Sequence, residues 1–439
     1  MSAAPFKIRG KVFYGWFILL GAVLIVSTAY SMRYSFAVFY KAILDEFGWS
    51  RAETAGAFSV SMIVYGFSSP FVGTLVDRLG PKKVLLFGMT LLALGLIGMS
   101  FMNSIWLIYA LYGVVMALGI NSLGYAVHNS YLPNWFVTRR GVAFGLLMCG
   151  SGGASLLNAL YQQMLSTIPW RTMYLIMAGV TIAIIIPIVF FIIRRTPQEM
   201  GLLPDGATEI PAGAAGDATK ALKAKRATAL IVDKDWAGKD WTLSRAIKTP
   251  QLWFMFFAEL CVSAALNLGN AHQAIYCQDI GLDPSFTASV LGIIGVATIF
   301  GNFLSGFSDK LGREITFTIG AVGSLVSIYA LLTASLERSW LLYVYAVVWG
   351  VFFYIGSSSL VAGLADMFSG LHFGAINGFF LLGFGIGGAI GPWLGGFIYD
   401  TTKSYHFAFI FMMASMAAAA ILFWLAAPRK KRLVPGRAK

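Results

Sequence analysis

Long apolar runs separated by short polar turns make up most of this chain. A helix needs about 20 apolar residues to cross the hydrocarbon core of a bilayer. Runs of this length occur at residues 12–40, 54–76, 83–102, 104–131, 140–164, 171–193, 250–276, 286–308, 315–336, 339–365, 373–398 and 405–427. The pattern predicts an all-α integral membrane protein with twelve transmembrane helices in two sets of six.

One longer polar stretch separates the two sets. It predicts an N-terminal six-helix bundle at 1–193, a cytoplasmic linker at 194–249, a C-terminal six-helix bundle at 250–428 and a basic cytoplasmic tail at 429–439. The linker and the tail each carry a basic cluster: Lys220, Lys223, Lys225 and Arg226 in the linker, and Arg429 to Arg432 in the tail. Such clusters either fix the topology or contact phospholipid headgroups.

The basic residues predict the orientation of the chain. If both termini are cytoplasmic, the external turns hold only Lys41, Arg51, Arg171, Arg338 and Lys403. Cytoplasmic segments of membrane proteins are enriched in Lys and Arg. The sequence therefore predicts that both termini lie inside, and it favours the cell (inner) membrane as the location.

Composition narrows the possible functions. The chain is 58% hydrophobic and 12% charged, with a net charge of +13. Its basic residues flank apolar runs instead of forming a nucleic-acid-binding domain. The cysteines Cys149, Cys261 and Cys277 lie in or beside apolar segments without metal-like spacing. The sequence contains no ATP-binding loop and no nucleophile–base pattern, so we predict neither an enzyme nor a cofactor.

A charged, turn-forming motif occurs once in each half. The copies are Gly73-Thr-Leu-Val-Asp77-Arg78-Leu-Gly80-Pro81-Lys82-Lys83 and Gly306-Phe-Ser-Asp309-Lys310-Leu-Gly312-Arg313-Glu314. A repeat of this kind indicates duplicated structural halves. The pattern resembles the loop between helices 2 and 3 of the major facilitator superfamily, which is repeated between helices 8 and 9. The resemblance implies two six-helix bundles, a central cavity and alternating access by rocking.

The motif residues have separate expected roles in gating. Gly73 and Gly306 let a neighbouring helix approach closely. Gly80 and Gly312 permit a tight turn. Asp77 and Asp309 are expected to pair with basic residues or with a helix N-terminus across the bundle. These contacts, with Arg78 and Arg313 of the same motif, are expected to hold the halves together only while the cytoplasmic side is closed.

Other stretches narrow the resemblance to one branch of the superfamily. The most specific are Trp135-Phe136-Val-Thr-Arg139-Arg140-Gly141-Val-Ala143-Phe-Gly145 and Thr249-Pro250-Gln251-Leu-Trp253. They are similar to the monocarboxylate transporter and oxalate/formate antiporter branch. Five aromatic residues match the cavity-lining helices of that branch: Tyr34, Tyr125, Trp349, Phe353 and Tyr354. Rings with hydroxyl groups can enclose and hydrogen-bond a small carboxylate.

Two positions depart from the branch. Its members commonly carry a cation midway along helix 8, where this chain has Asn302, or Gly301 if the loop is shifted by one. Some antiporters of small dianions carry a lysine in helix 11, near Phe384 of this chain. A dianion held between two such cations is therefore not expected. Asn302 can hydrogen-bond a substrate oxygen without supplying charge.

Ionisable residues inside membrane helices are functional candidates because charge is costly in hydrocarbon. Arg33 adjoins Tyr34 in the first predicted helix. It can replace the missing cation as the carboxylate partner, since guanidinium binds carboxylate bidentately; alternatively, it extends to the outer interface. Glu259 lies about 14 Å along its helix, near the midplane, and is a candidate for proton coupling or a structural residue. Near the outer end of the same helix, His272 and Asn270 are further substrate-binding candidates.

These features predict a secondary active transporter of a small organic anion, with a monocarboxylate preferred. Coupling is to protons or by exchange for a counter-anion, in a lipid bilayer and as a monomer. A transporter of a neutral or cationic compound is an alternative, because Glu259 is present and the helix 8 cation is missing. A nutrient sensor on a transporter scaffold is an alternative of another class.

Overall fold

The computed structural model describes residues 13–49, 51–165, 167–206 and 230–437. Twelve helices in these ranges are long and apolar enough to cross a membrane, as the sequence predicts. They are α1 Gly15–Tyr40, α2 Gly56–Leu79, α3 Pro81–Ser100, α4 Ile105–Trp135, α5 Arg140–Asn158, α6 Trp170–Ile192, α7 Pro250–Cys277, α8 Ser285–Leu311, α9 Arg313–Leu332, α10 Trp340–Phe368, α11 Phe373–Thr402 and α12 His406–Lys430. The α1 helix continues beyond the apolar span to Phe47.

The two copies of the repeated motif form the α2–α3 and α8–α9 turns. Gly80 and Gly312 have φ angles of +80° and +105°, a region that residues with a Cβ rarely adopt. The next helix begins at once, with Pro81 in α3 and Arg313 in α9. Proline fits the first helical position because its missing N–H has no partner within the helix.

The two halves meet through α2 with α11 and through α5 with α8. The α2 and α11 backbones approach closely at Gly66 and Gly385, where a Cβ on Gly66 would lie 2.9 Å from Cα of Gly385. Small residues permit this approach because no side chain separates the helices. Hydrogen bonds between the halves, such as those of Asp77 and Asp309, lie at the cytoplasmic ends of the helices. The cytoplasmic side is therefore closed.

The α4 and α10 helices are irregular along their length. They contain the π-helical segments Tyr109–Met116 and Trp349–Phe353, respectively. Gly124 then interrupts α4 with φ −93° and ψ −161°, so that a new helical segment begins at Tyr125. Such irregularities often occur at functional sites because they change where side chains point.

The end of the linker and the C-terminal tail pack together beneath the C-terminal half. The Lys431 ammonium lies 2.7 Å from the Asp233 carboxylate, and this hydrogen bond lowers the pKa of Asp233. Lys431 also lies 4.0 Å from the ring centroid of Trp236, whose indole N–H donates to the Met367 carbonyl at 2.7 Å. These contacts attach the linker to the end of α10. The predicted basic cluster of the linker, at 220–226, lies outside the described residues.

Candidate functional site

The first copy of the motif joins α2 to the N-terminus of α11. The Asp77 carboxylate accepts hydrogen bonds from the backbone N–H groups of Gly374 at 2.9 Å and Ala375 at 2.8 Å. These N–H groups are at the start of a helix and lack partners within it, and the helix dipole favours an anion there. Gly73 packs directly on the Gly374 carbonyl, where a Cβ would clash. Arg78, in contrast, is exposed.

The second copy makes the equivalent contact with α5. The Asp309 carboxylate accepts from the N–H groups of Gly141 at 3.0 Å and Val142 at 3.2 Å. Gly306 packs on Val142, where a Cβ would lie 2.8 Å from a side-chain methyl group. Together, the two aspartates and these two helix starts form what we call the cytoplasmic seam.

In the part of the chain that the structure describes, an additional ion network supports the seam at the second copy and not at the first. Arg313 lies 2.7 Å from Asp309 and 2.8 Å from Asp366 of α10. Arg140, from the N-terminal half, lies 2.9 Å from the same Asp366. The first copy has Pro81 in the place of Arg313, so the seam is asymmetric. Sequence reasoning missed Arg140 and Asp366 as partners, because their pairing crosses the two halves.

Arg33 is buried in a cage of aromatic side chains. Its guanidinium lies 4.4 Å from the ring centroid of Tyr65 and 5.7 Å from that of Tyr30. One guanidinium nitrogen, Nη2, contacts the Met62 sulfur, whereas Nη1 is buried without a hydrogen-bond partner among the described residues. Tyr112 donates to the Arg33 carbonyl at 2.7 Å and anchors the helix there. The cage holds the cation by cation–π contacts and leaves one donor free.

Three tyrosines predicted from the resemblance lie near one another, two from the N-terminal half and one from the C-terminal half. Tyr34 is 41% exposed although it lies within a membrane span, and Tyr125 and Tyr354 are half-buried. Tyr30 connects the first two, with ring centroids 6.0 Å from Tyr34 and 5.0 Å from Tyr125. Tyr354, from the other half, lies within electrostatic range of Tyr34 and Tyr125. Their hydroxyl groups can offer hydrogen bonds to a small polar molecule.

Glu259 is a buried acid in the C-terminal half. It is 5% exposed, and none of the hydrogen bonds or ion pairs described for the chain involves it. It lies within electrostatic range of Tyr65, the residue that stacks on Arg33. Arg33 and Glu259 are therefore two buried ionisable groups, one in each half, without an ion pair between them among the described residues.

The contacts described for the other candidates are with residues outside the Arg33 cage. Trp349 and Phe353 stack on each other with centroids 4.7 Å apart and are almost fully buried, so they pack inside the C-terminal half. The ring nitrogens of His272 lie 2.9 Å from the Pro392 carbonyl and 3.3 Å from the Tyr405 hydroxyl. Both nitrogens therefore contact groups of α11 and of the α11–α12 turn. Asn270 is exposed.

Asn302 differs from the other candidates because its amide is unused. It is fully buried in α8, and neither its oxygen nor its nitrogen has a hydrogen-bond partner among the described residues. Its backbone carbonyl lies against Gly145 of α5, at the contact between the halves. A buried amide without hydrogen-bond partners is costly, and its oxygen and nitrogen can both form hydrogen bonds.

Two cage residues, Tyr30 and Tyr65, were not predicted. The Tyr30–Tyr34 spacing of i, i+4 beside Arg33 is a signal that was available, since residues at this spacing share a helix face. Tyr65 could not be identified in this way, because it comes from α2 and meets Tyr30 only in the folded bundle, with their hydroxyl oxygens 2.9 Å apart.

Comparisons with known proteins support the branch that the motifs indicate. Similar relatives include the uncharacterized MFS-type transporter YhjX of Escherichia coli (strain K12), 26% identical over 381 residues and covering 85% of each chain. The oxalate:formate antiporter of Oxalobacter formigenes is 27% identical over 312 residues, covering 69% of this chain and 66% of the relative. Monocarboxylate transporter 4 of Mus musculus is 25% identical over 419 residues, covering 94% and 83%, respectively.

The fold and the family agree with these relatives. A crystal structure of the major facilitator superfamily transporter FucP, in the outward conformation, aligns with a TM-score of 0.66 at 15% identity, covering 94% of this chain and 98% of that one. The family model described as Major Facilitator Superfamily matches residues 19–307 and 273–439. The chain therefore belongs to the major facilitator superfamily and is a transporter, not an enzyme.

Proposed function

We propose that this transporter carries a small monocarboxylate across the cell (inner) membrane, with Arg33 as the partner of the substrate carboxylate. The observation that carries the proposal is the free Nη1 of Arg33, a buried guanidinium donor without a hydrogen-bond partner among the described residues. An unpaired buried cation is unfavourable, and a bound carboxylate would satisfy both its charge and its donor.

The surroundings of Arg33 favour a small anion with one carboxylate. Tyr34, Tyr125 and Tyr354 lie near one another and carry hydroxyl groups that can bind a carboxylate. The helix 8 position holds neutral Asn302, and the helix 11 position holds Phe384. A second carboxylate would thus lack a cation, whereas the aromatic walls suit a short carbon chain.

In the proposed cycle, Glu259 carries the coupling proton. A buried carboxylate without a cationic partner is more stable when protonated. Binding of an anion at Arg33 and of a proton at Glu259 would neutralise both buried charges, which favours movement of the loaded protein. Exchange for a counter-anion would instead use Arg33 alone, with Glu259 keeping its proton.

The cytoplasmic seam is proposed to gate access from inside. Asp77 and Asp309 hold the starts of α11 and α5 in the closed arrangement. Gly73 and Gly306 permit the helices to pack closely, and Gly80 and Gly312 permit the turns. Arg313 supports Asp309 through an ion pair. Rocking of the halves would break these contacts and open the cavity to the cytoplasm.

Uptake by reconstituted protein tests the proposal. Liposomes with and without an inward proton gradient are supplied with radiolabelled lactate, and unlabelled monocarboxylates, oxalate and cationic compounds serve as competitors. We expect competition by monocarboxylates, and a 10- to 100-fold weaker apparent affinity in Arg33→Gln, about the effect of losing one charged hydrogen bond. Arg33→Lys should retain part of the affinity, and Arg338→Gln, in an external turn, provides the matched control.

Two results would overturn the proposal. Unchanged anion competition in Arg33→Gln would remove Arg33 from the site. Competition by neutral or cationic compounds alone would favour the second candidate function. The specific observation for it is Glu259, which is buried and has no ion pair among the described residues.

A further inference from the structure

A cleft at the cytoplasmic surface of the C-terminal half is separate from the transport site. It has a volume of about 160 Å³ and lies between the start of α9, the end of α12 and the C-terminal tail. Its lining includes four arginines, Arg313, Arg429, Arg432 and Arg437, together with Trp424 and the backbone of Gly312. Four guanidinium groups around one cleft indicate a binding site for an anion.

Two of these arginines already have carboxylate partners. Arg313 is paired with Asp309 and Asp366 at less than 3 Å. Arg429 lies 3.2 Å from Glu314, and its backbone N–H donates to the same carboxylate at 2.9 Å. These pairs fix two sides of the cleft and leave little positive charge unbalanced there.

The other two arginines retain unused charge. The nearest carboxylate contact of Arg432 is long, 3.9 Å to Asp366, and its Nη2 is buried without a hydrogen-bond partner among the described residues. Arg437 has no ion pair among the described residues. It lies beside Gly312, and its Nε is 3.7 Å from the position that a Cβ on Gly312 would take. A buried guanidinium nitrogen without an acceptor is unfavourable, so an oxygen-rich anion would complete the cleft.

The position of Trp424 connects the cleft to the membrane surface. Its indole N–H donates to Thr318 of α9 at 2.8 Å, and Arg429 lies 4.4 Å from its ring centroid. The side chain is 38% exposed near the cytoplasmic end of α12. Tryptophan favours this depth because its ring is apolar and its N–H is polar. Leu433 and Val434 add apolar lining, which suits the glycerol and first methylene groups of a lipid.

We propose that this cleft binds a phosphate group, supplied by an anionic phospholipid of the cytoplasmic leaflet or by a soluble phosphate ester. Arg432 and Arg437 provide the free donors, and Arg429 stacked on Trp424 forms the wall toward the membrane. The tail sequence from Arg429 to Arg432 thereby has a binding role besides setting topology. This site is independent of the proposed substrate, because it shares no residue with the Arg33 cage.

Lipid binding by the purified full-length chain tests the proposal. The protein in neutral detergent is titrated with phosphatidylglycerol, with phosphatidylcholine or with inorganic phosphate, and bound molecules are counted by native mass spectrometry. We expect one phosphatidylglycerol to bind more tightly than the rest. Arg437→Gln should weaken it about fivefold, the effect of one basic residue near an anionic headgroup, and Arg437→Lys should recover most of the affinity.

Lys430→Gln is the matched control, because it removes one charge from the same basic cluster outside the cleft lining. Equal weakening by Lys430→Gln and Arg437→Gln would mean general attraction to a basic tail and would overturn the proposal. So would absence of both lipid and phosphate binding. If inorganic phosphate binds by itself and displaces phosphatidylglycerol, the site belongs to a soluble phosphate ester. If phosphatidylglycerol stays bound in excess phosphate, the site belongs to the lipid.

Discussion

Arg140 of the N-terminal half and Asp366 of the C-terminal half form an ion pair 2.9 Å long with both side chains at least 96% buried. Asp366 also binds Arg313 of the second motif copy. Among the described residues, no ion pair of this kind lies at the first copy, so the two ends of the cytoplasmic seam differ. A buried pair across a moving interface is costly to separate, since each charge must find water or a new partner. Opening of the seam should therefore depend on Asp366.

We predict that Asp366→Asn shifts the protein toward a cytoplasm-open arrangement. The substitution leaves the buried Arg140 guanidinium without its charge partner and leaves Arg313 with Asp309 alone. Loss of one member of a buried pair costs about 3–5 kcal/mol. Distances between spin labels on the cytoplasmic ends of α5 and α8 measure the shift. Asp235→Asn, an exposed linker carboxylate, is the control, and an unchanged distance distribution in Asp366→Asn would contradict the role of the pair.

The two aspartates of the motif should contribute unequally. Asp77 and Asp309 both accept from a helix start, but only Asp309 also pairs with an arginine. An asparagine keeps one acceptor oxygen and loses the charge. We therefore expect Asp309→Asn to lower the initial rate of uptake in proteoliposomes more than Asp77→Asn does. Equal losses would show that the helix-start contacts dominate and that Arg313 adds nothing.

Close packing of α2 on α11 makes a glycine essential to the closed arrangement. A side chain at Gly385 would clash with the backbone of Gly66 across the halves. We predict that Gly385→Ala increases cytoplasmic accessibility, measured by labelling of an introduced cysteine in α11. Gly295→Ala is the control, since nothing lies within 4 Å of its Cβ position and alanine favours a helix. Similar labelling of both variants would exclude the proposed steric effect.

In the proposed cycle, proton coupling depends on whether the Glu259 carboxyl can ionise. Glu259→Gln keeps the size of the side chain and mimics its protonated form. We expect the variant to lose accumulation of substrate driven by a proton gradient while it retains exchange between labelled and unlabelled substrate. Both activities are measured in the same liposomes, with Glu199→Gln in the exposed linker as the control. Gradient-driven accumulation at the normal level would rule Glu259 out as the coupling group.

Local sequence was sufficient for the twelve helices and their connections. Apolar length determines a membrane span, and the glycines at 80 and 312 adopt the positive φ angles that their motif suggests. The choice of cavity residues was harder, because a pattern within one helix does not tell which face meets which neighbour. Trp349 resembles a cavity residue by position, yet it is buried against Phe353, whereas Tyr65 completes the cage from α2. Partners that meet only through folding remain hidden from a single sequence.

The extracellular end of α1 is attached to α6 by a pH-sensitive contact. The Glu46 carboxylate accepts from Arg171 at 2.7 Å and from the Trp170 indole N–H at 2.7 Å. The hydrogen bond from Arg171 lowers the pKa of Glu46 below its usual value, and that from Trp170 adds to the effect. A carboxyl with a lowered pKa stabilises the fold above its ordinary pKa of about 4.3, and this contribution is lost as the pH falls through the lowered value.

We therefore predict that Glu46→Gln lowers the thermal unfolding midpoint at pH 7 and has no effect at a pH below the lowered pKa. The contact is partly exposed, so the change at pH 7 should correspond to less than about 1 kcal/mol. Asp45→Asn, which removes the adjacent exposed carboxylate, should leave the midpoint unchanged at both pH values. The midpoints of the purified protein in one detergent, measured by intrinsic fluorescence, provide the comparison. A loss in Glu46→Gln that persists at low pH would mean that the side chain acts through packing and not through its charge.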